Sequence, residues 1–280
     1  MRRLTIQKRQ ALGRLGRHLI LLPVTIIWMI PIWMMFAISL RPVAEMFSQG
    51  IGVSNPILDN YIAVWRDNDL LIHFKNSLLI TGSSVLLVMI LASACAYAIS
   101  LIKFRGSSTL FLFMLMTMTL PVPAVVVPLI QVLKKLNLLN TYPGLIGPYV
   151  ALGVPFAAVI MKNAFDGFPK EIEEAACLDG CSNWTIFLKI VLPLSKPSLA
   201  VIAIWTFMQS WNEFILAMLT MTEVAMKPLI LVPIIYNGMY LSFPGHLFAI
   251  LSICTIPIIV FYLSLQKHFV SGLTAGAVKG

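Results

Sequence analysis

Glu174-Ala175-Ala176-Cys177-Leu178-Asp179-Gly180, then nine residues, then Ile190-Val191-Leu192-Pro193, form a polar stretch between long apolar runs. These types at this spacing suit docking. Glu174 and Asp179 can pair with cations of another surface, and Ala175 and Ala176 let two backbones approach closely. A second set, Gln209, Trp211, Asn212 and Glu213, lies inside an apolar run. Gln209, Asn212 and Glu213 follow a spacing of three to four and share one helical face. Two amides, one carboxylate and the flat indoles of Trp205 and Trp211 are groups on which a polyol can be held. An ionisable side chain within a membrane span is a functional hypothesis by default. The same residues could instead bond neighbouring helices together, or Trp205 and Trp211 could belong to an interfacial aromatic belt.

Other chemistries find little to work with. No G-x-x-x-x-G-K-[ST] segment occurs, so the chain has no phosphate cradle of that kind. No Ser/His/Asp set or zinc-spaced cluster is present. His18, His73, His246 and His268 fall near span ends or in loops. The four cysteines, 95, 177, 181 and 254, make no disulfide framework, and a C-x3-C pair without a nearby His is weak as a metal site. Met114, Met116 and Met118 alternate by two, which does not place them on one helical face. No catalytic residue, metal or bound cofactor is expected.

These groups must be positioned by helices in a bilayer. The chain is 59% hydrophobic and 11% charged, with mean hydropathy +0.90. Soluble domains carry about a quarter charged residues, so an all-α integral membrane protein is expected, its spans helical because the apolar runs are continuous. Six runs are long enough, at about 19–40, 77–102, 109–131, 142–163, 198–220 and 246–266. Pro121, Pro123, Pro128, Pro148 and Pro155 interrupt the third and fourth, which are expected to kink. Neither large loop, 41–76 or 221–245, is long enough for a folded domain. The expected organisation is an N-terminal segment 1–18, one six-helix domain 19–266 containing the loop 166–197, and a tail 267–280.

Charge orients the spans. The N-terminus, the loops 103–108 and 162–197 and the tail hold fourteen of the twenty Lys and Arg. Arg41, Arg66, Lys75, Lys134, Lys135 and Lys227 lie on the other side. The positive-inside rule therefore puts both termini and the 174–197 loop in the cytoplasm. The net charge of +9 is explained by this asymmetry, not by nucleic acid.

The polar loop reads as helix–turn–helix. Pro169 opens a helix Lys170 to Asp179, with Glu171, Glu173 and Glu174 near its positive end. Gly180 ends it. Ser182 is an N-cap for a second helix, Asn183 to Leu192, which Pro193 and Pro197 end. A connector lying on the bilayer surface would be rich in Lys and Arg; the first helix is acidic.

The pattern Glu-Ala-Ala, three residues, Gly, nine residues, Ile, one residue, Leu-Pro resembles the EAA loop of the membrane subunits of ATP-binding-cassette importers. The resemblance covers nearly the whole chain. The tail Gln266-Lys267-His268-Phe269-Val270-Ser271-Gly272-Leu273-Thr274-Ala275-Gly276-Ala277-Val278-Lys279-Gly280 is similar to the C-terminus of MalG-type carbohydrate permeases. Trp211-Asn212-Glu213 is similar to that family's Trp-Asn-Asp/Glu signature, and Pro143-Gly144-Leu145 also fits. Cys177 and Cys181 depart from residues more often charged and Ala.

The resemblance implies a type I importer fold with six transmembrane helices in a bacterial inner membrane. It implies a second, non-identical permease subunit, two ATPase subunits that bind ATP and Mg, and an external binding protein that delivers a sugar-like solute. Glu174, Ala175, Ala176, Asp179, Gly180, Ile190, Leu192 and Pro193 would couple to the ATPases. Loop 221–245 would meet the binding protein and the tail would touch the ATPase pair. An ion-coupled secondary transporter is the alternative; it would want paired intramembrane charges and repeat symmetry. The chain has one such carboxylate and no repeat.

Overall fold

The computed structural model describes the backbone of residues 2–46, 50–237 and 243–277, and the side chains among them except 2–17, 170 and 268–277. Gly238, Tyr240 and the tail from Val278 onward lie outside the described residues. So do the side chains of Lys170, of the basic residues up to Arg17, and of the tail from His268. Among the described residues every regular element is helical. The chain divides into two compact units: Met1–Asn68 with Pro233–Ile253, and Asp69–Val232 with Cys254–Gly280.

In the first unit, helix α1 is Arg2–Ser39 and helix α2 is Asp59–Asp67. The His18–Ser39 part of α1 is apolar enough to cross a membrane; it is exposed from His18 to Trp33 and becomes buried only at its end, at Ala37, Ile38 and Ser39. Arg41 follows it and is 1% exposed. Its guanidinium donates to the carbonyls of Met46, Gly50 and Gly52 at 2.7, 2.6 and 2.6 Å. Such bonds are needed, because a buried charge without partners is very costly. Asn60 of α2 donates from Nδ2 to the carbonyls of Ser39 and Arg41 at 2.9 and 3.0 Å.

The second unit opens with α3, Leu70–Tyr97, which runs on as a π-helical turn, Ala98–Ile102. Then come α4, Ser107–Thr117; α5, Val122–Lys135; and α6, Tyr142–Asp166. Next are α7, Lys170–Leu178; α8, Asn183–Ile186; a π-helical turn, Phe187–Val191; and α9, Leu192–Leu194. Helices α10, Lys196–Asn212, and α11, Ile215–Thr220, follow. Short 3-10 segments occupy Val224–Met226 and Leu229–Tyr236. Helix α12, Pro244–Ala277, belongs to the first unit up to Ile253 and to the second from Cys254.

The core of the second unit joins α3, α6 and α10 through small residues. Ala92, Ala96, Ala157 and Ala158 are essentially inaccessible, alongside Val88, Met161 and Ile202. Small side chains at such contacts bring helix backbones close, which is how membrane helices gain packing energy without a hydrophobic drive between them.

Among the described residues four helices are long and apolar enough to span, or up to six if each of two bent pairs is one span. Five of the six expected runs overlap these elements along almost their whole length; the fifth, 198–220, does so only in part, because the second bent pair joins Asn183–Leu194 to Lys196–Asn212 and the helix ends at Asn212. The third is broken rather than kinked: α4 and α5 meet at 102°. Pro121 lies at the break, in extended backbone. Helix α6, in contrast, continues unbroken through Pro148 and Pro155. Helix α3 starts at Leu70, seven residues before its apolar run, because His73, Asn76 and Ser77 are buried against another segment and need not face water.

Gly144 fixes the approach to α6. A Cβ built there would lie 1.9 Å from the carbonyl oxygen of Leu138. That oxygen accepts from the Thr141 hydroxyl at 2.7 Å, so it cannot move freely. Gly144→Ala is expected to destabilise the protein by about 1–3 kcal/mol, the usual range for forced overpacking. A lowered melting temperature of the detergent-purified protein checks this; an unchanged one shows that the turn can shift.

Candidate functional site

Helix α7 begins after Pro169 and carries Glu171 and Glu173 in its first turn. It ends one residue earlier than expected, at Leu178, in a six-residue Schellman arrangement. The amide of Cys181 donates to the carbonyl of Ala176 and that of Gly180 to Cys177, both at 3.0 Å. The motif requires a left-handed residue at the position after the cap, and Gly180 has φ +75°. Ser182 caps α8, accepting from the Thr185 amide at 3.3 Å.

The second helix differs from its expected form. It is not one α-helix from Asn183 to Leu192 ended by Pro193. It is α8, a π-helical turn and α9, and Pro193 lies inside the helical path. Proline is tolerated there because it occupies the first turn of α9. The chain then bends by 77° into α10.

The loop is built onto the spans. Ile186, Phe187 and Val191 are buried in the same core as Tyr97 and Phe165. The Tyr97 hydroxyl donates to the Asn183 carbonyl at 3.1 Å, and its ring lies 4.9 Å from that of Phe187. Just before the loop, Asp166 accepts from Lys162 and from Ser100 of the π-helical turn. Lys162 also lies over the Phe111 ring. A displacement of α7 and α8 would therefore press directly on the ends of α3 and α6.

The expected coupling residues separate into two sets. Ala176 is buried, and Ile190 and Leu192 pack partly against the core, so these three hold the loop to its own chain. Glu174, Ala175, Asp179, Gly180 and Pro193 are exposed. Sequence reasoning missed two members of the outward face: Leu178, 90% exposed, and Trp184, 70% exposed. An apolar residue beside the C-terminal glycine and a Trp in an otherwise polar stretch were the available signals.

The second set is rearranged more strongly. Helix α10 stops at Asn212, eight residues before the expected end of the run. Glu213 has extended backbone, ψ 120°. Its Oε1 accepts from the Leu216 amide at 2.9 Å and its Oε2 from the Ala217 amide at 3.0 Å. The Tyr149 hydroxyl donates to the same Oε2 at 2.9 Å. The carboxylate thus serves the unpaired N–H groups at the start of α11 and ties the break to α6. Trp211 is 2% exposed, stacks on Phe207 at 5.4 Å and donates from Nε1 to the Cys254 carbonyl at 3.0 Å. Gln209 and Asn212 are exposed, and Trp205 packs against Phe156 at 4.1 Å between ring centres. The structure does not gather the four as one polar face.

A third cluster was not foreseen. The segment after α11 is held by hydrogen bonds from both sides. Asn140 binds Thr220, Thr222 and Glu223, while His73, Asn76 and Ser77 of α3 bind Ala225, Lys227 and Leu229. Buried polar residues at the start of α3, outside its apolar run, were the signal for it.

A family model described as "Binding-protein-dependent transport system inner membrane component" matches residues 85–275. The Trehalose/maltose transport system permease protein MalG of Thermococcus litoralis is 35% identical over 228 residues, 80% of this chain and 81% of that protein. The Trehalose transport system permease protein SugB of Mycobacterium tuberculosis is 32% identical over 254 residues, covering 90% and 93%. A chain from the crystal structure of a bacterial ABC transporter involved in the import of the acidic polysaccharide alginate superposes with TM-score 0.79 at 24% identity. The match covers 92% of this chain and 97% of that one, and shows a shared fold.

Proposed function

The chain belongs to the family of inner membrane components of binding-protein-dependent transport systems, and from that premise we propose that it is the permease subunit of an ATP-driven importer for a sugar or sugar-like solute. The relatives named for trehalose and maltose support that solute class. In this reading a second permease subunit completes the pathway and an extracytoplasmic binding protein delivers the solute. Two ATPase subunits bind ATP and Mg and dock on the cytoplasmic side, where both termini lie. This chain binds no cofactor and catalyses no reaction.

The observation that carries the reading is the α7–α8 loop. Its inner face is locked into the cores of α3 and α6, and its outer face offers Glu174, Leu178, Asp179 and Trp184. That is the construction of a lever: rigid toward the spans and sticky toward a partner. Ion coupling finds no equivalent support. The carboxylate of Glu213 is committed to two backbone amides and a tyrosine.

The test is capture of the tagged chain from native membranes after mild crosslinking, with mass spectrometry of what accompanies it and assay for ATP hydrolysis. The expected result is an ATPase subunit, a second permease and a solute-binding protein. With Glu174→Lys, the acidic contact is reversed and recovery of the ATPase is expected to fall by about three- to tenfold, as for loss of one partly exposed charge pair at an interface. A chain that purifies without any ATPase and still transports would establish the ion-coupled alternative.

A further inference from the structure

Thr222, Glu223, Val224 and Ala225 are all exposed, with Val224 at 67%, yet the backbone that carries them is pinned at both ends. On one flank stands Asn140, in the turn between α5 and α6. Its amide donates to the carbonyl of Thr220, the last residue of α11, at 2.9 Å. Its Oδ1 accepts from the amides of Thr222 and Glu223 at 2.7 and 3.0 Å. Its Nδ2 donates to the Thr222 hydroxyl at 3.0 Å. On the other flank Asn76 donates to the carbonyls of Ala225 and Lys227 at 2.8 and 3.1 Å. The Tyr142 hydroxyl donates to Asn76 Oδ1 at 2.7 Å and so links the two flanks.

The anchor is itself rigid. Asn140 has φ +56°, a left-handed conformation that Asn, Asp and Gly accept more readily than other residues. The turn around it is closed by the Leu138 amide on the Leu133 carbonyl at 2.9 Å and by the close approach of Gly144 to Leu138. A tip that is exposed, carries one carboxylate and one apolar side chain, and is held from two sides has the makings of a pre-organised contact. Such a tip loses little freedom when a partner binds, which improves affinity without adding a contact.

We propose that Asn140 is a positioning residue. Through its side chain it holds Thr222 and Glu223, and so its flank of the tip Thr222–Ala225, in the conformation that meets the solute-binding protein. This rests on the importer reading and on the segment facing the extracytoplasmic side. The role is indirect, since Asn140 acts through the loop and is itself only half-exposed.

Two substitutions separate the side chain from the backbone requirement. Asn140→Gly keeps the left-handed conformation and deletes the side-chain bonds. Asn140→Asp keeps the acceptor for both amides. The complex, captured with its ATPases and its own binding protein, is placed in lipid nanodiscs, and ATP hydrolysis is measured against binding-protein concentration. With Asn140→Gly the half-saturating concentration is expected to rise about tenfold, the scale expected when a pre-ordered contact must be ordered on binding. Hydrolysis without binding protein and the rate at saturation stay unchanged, and Asn140→Asp stays near the parent protein. Hydrogen exchange at the Thr222 and Glu223 amides is expected to quicken in Asn140→Gly only.

Overlapping titrations for Asn140→Gly and the parent, with faster exchange in the variant, overturn the role: the loop is freed and binding is indifferent. Equal loss in both variants overturns it too. A parent complex that no binding protein stimulates overturns the importer reading and this role with it. Failure confined to the variant leaves the importer reading standing.

Discussion

Leu178→Asp is expected to abolish coupling: solute-dependent ATP hydrolysis and uptake fall about thirtyfold or more, the loss typical of an interface anchor worth 2 kcal/mol or above. The residue is 90% exposed on the tip of α7 and lies outside the core that fixes the loop, so the chain has no reason to misfold when it changes. The cost falls on docking. A leucine seated in a partner's cleft gains from leaving water, whereas a carboxylate placed there is desolvated without a counter-charge. An aspartate at the C-terminal end of α7 also opposes the helix dipole, a term of about 0.3–1 kcal/mol that is too small to mimic the main effect. Leu178→Ala serves as the intermediate case. The measurement is stimulated hydrolysis by the assembled complex, with recovery of the ATPase as a second readout. Normal hydrolysis and uptake by Leu178→Asp would show that the tip of α7 does not enter the partner, and that the exposed acidic side chains alone make the joint.

Much of this arrangement was legible in the residues because single positions carried it. The Gly180 stop, the Ser182 cap and the acidic first turn of α7 are local rules, and they hold in the folded chain. The continuous apolar runs marked the spans. What the residues did not disclose is what depends on partners distant in sequence. Ala176 and Ala175 look alike in the motif, but only Ala176 turns into the core. Glu213 looked like a charge facing along one helix with Gln209 and Asn212. Its actual place depends on Tyr149, 64 residues away, and on the helix ending at Asn212. Periodicity assumes that a helix continues, so it assigns faces wrongly wherever the helix stops. The Asn140 cluster was invisible for the same reason: asparagine in a turn needs no partner for its presence, and its partners lie more than eighty residues away.

Glu213→Ala tests what the break between α10 and α11 is for. The substitution leaves the amides of Leu216 and Ala217 and the hydroxyl of Tyr149 without their acceptor. Each donor left unpaired in a buried setting costs about 1–3 kcal/mol. Helix α11, only six residues long, has little else to define its start. The expected result is a lowered melting temperature together with a loss of uptake of about tenfold or more, since α11 leads directly into the pinned segment beyond Thr220. Tyr149→Phe removes one bond and keeps the two backbone ones, so it is expected to cost about 0.5–1.5 kcal/mol and leave most uptake in place. Gln209→Ala, at an exposed position with no part in the break, is expected to leave the melting temperature unchanged. The pattern decides between two roles for the carboxylate. If uptake and stability fall together for Glu213→Ala, and Tyr149→Phe follows in proportion, Glu213 fixes the geometry of the break. If Glu213→Ala melts like the parent but fails to transport, the carboxylate meets the solute itself, and the amides it binds must find another acceptor in the variant.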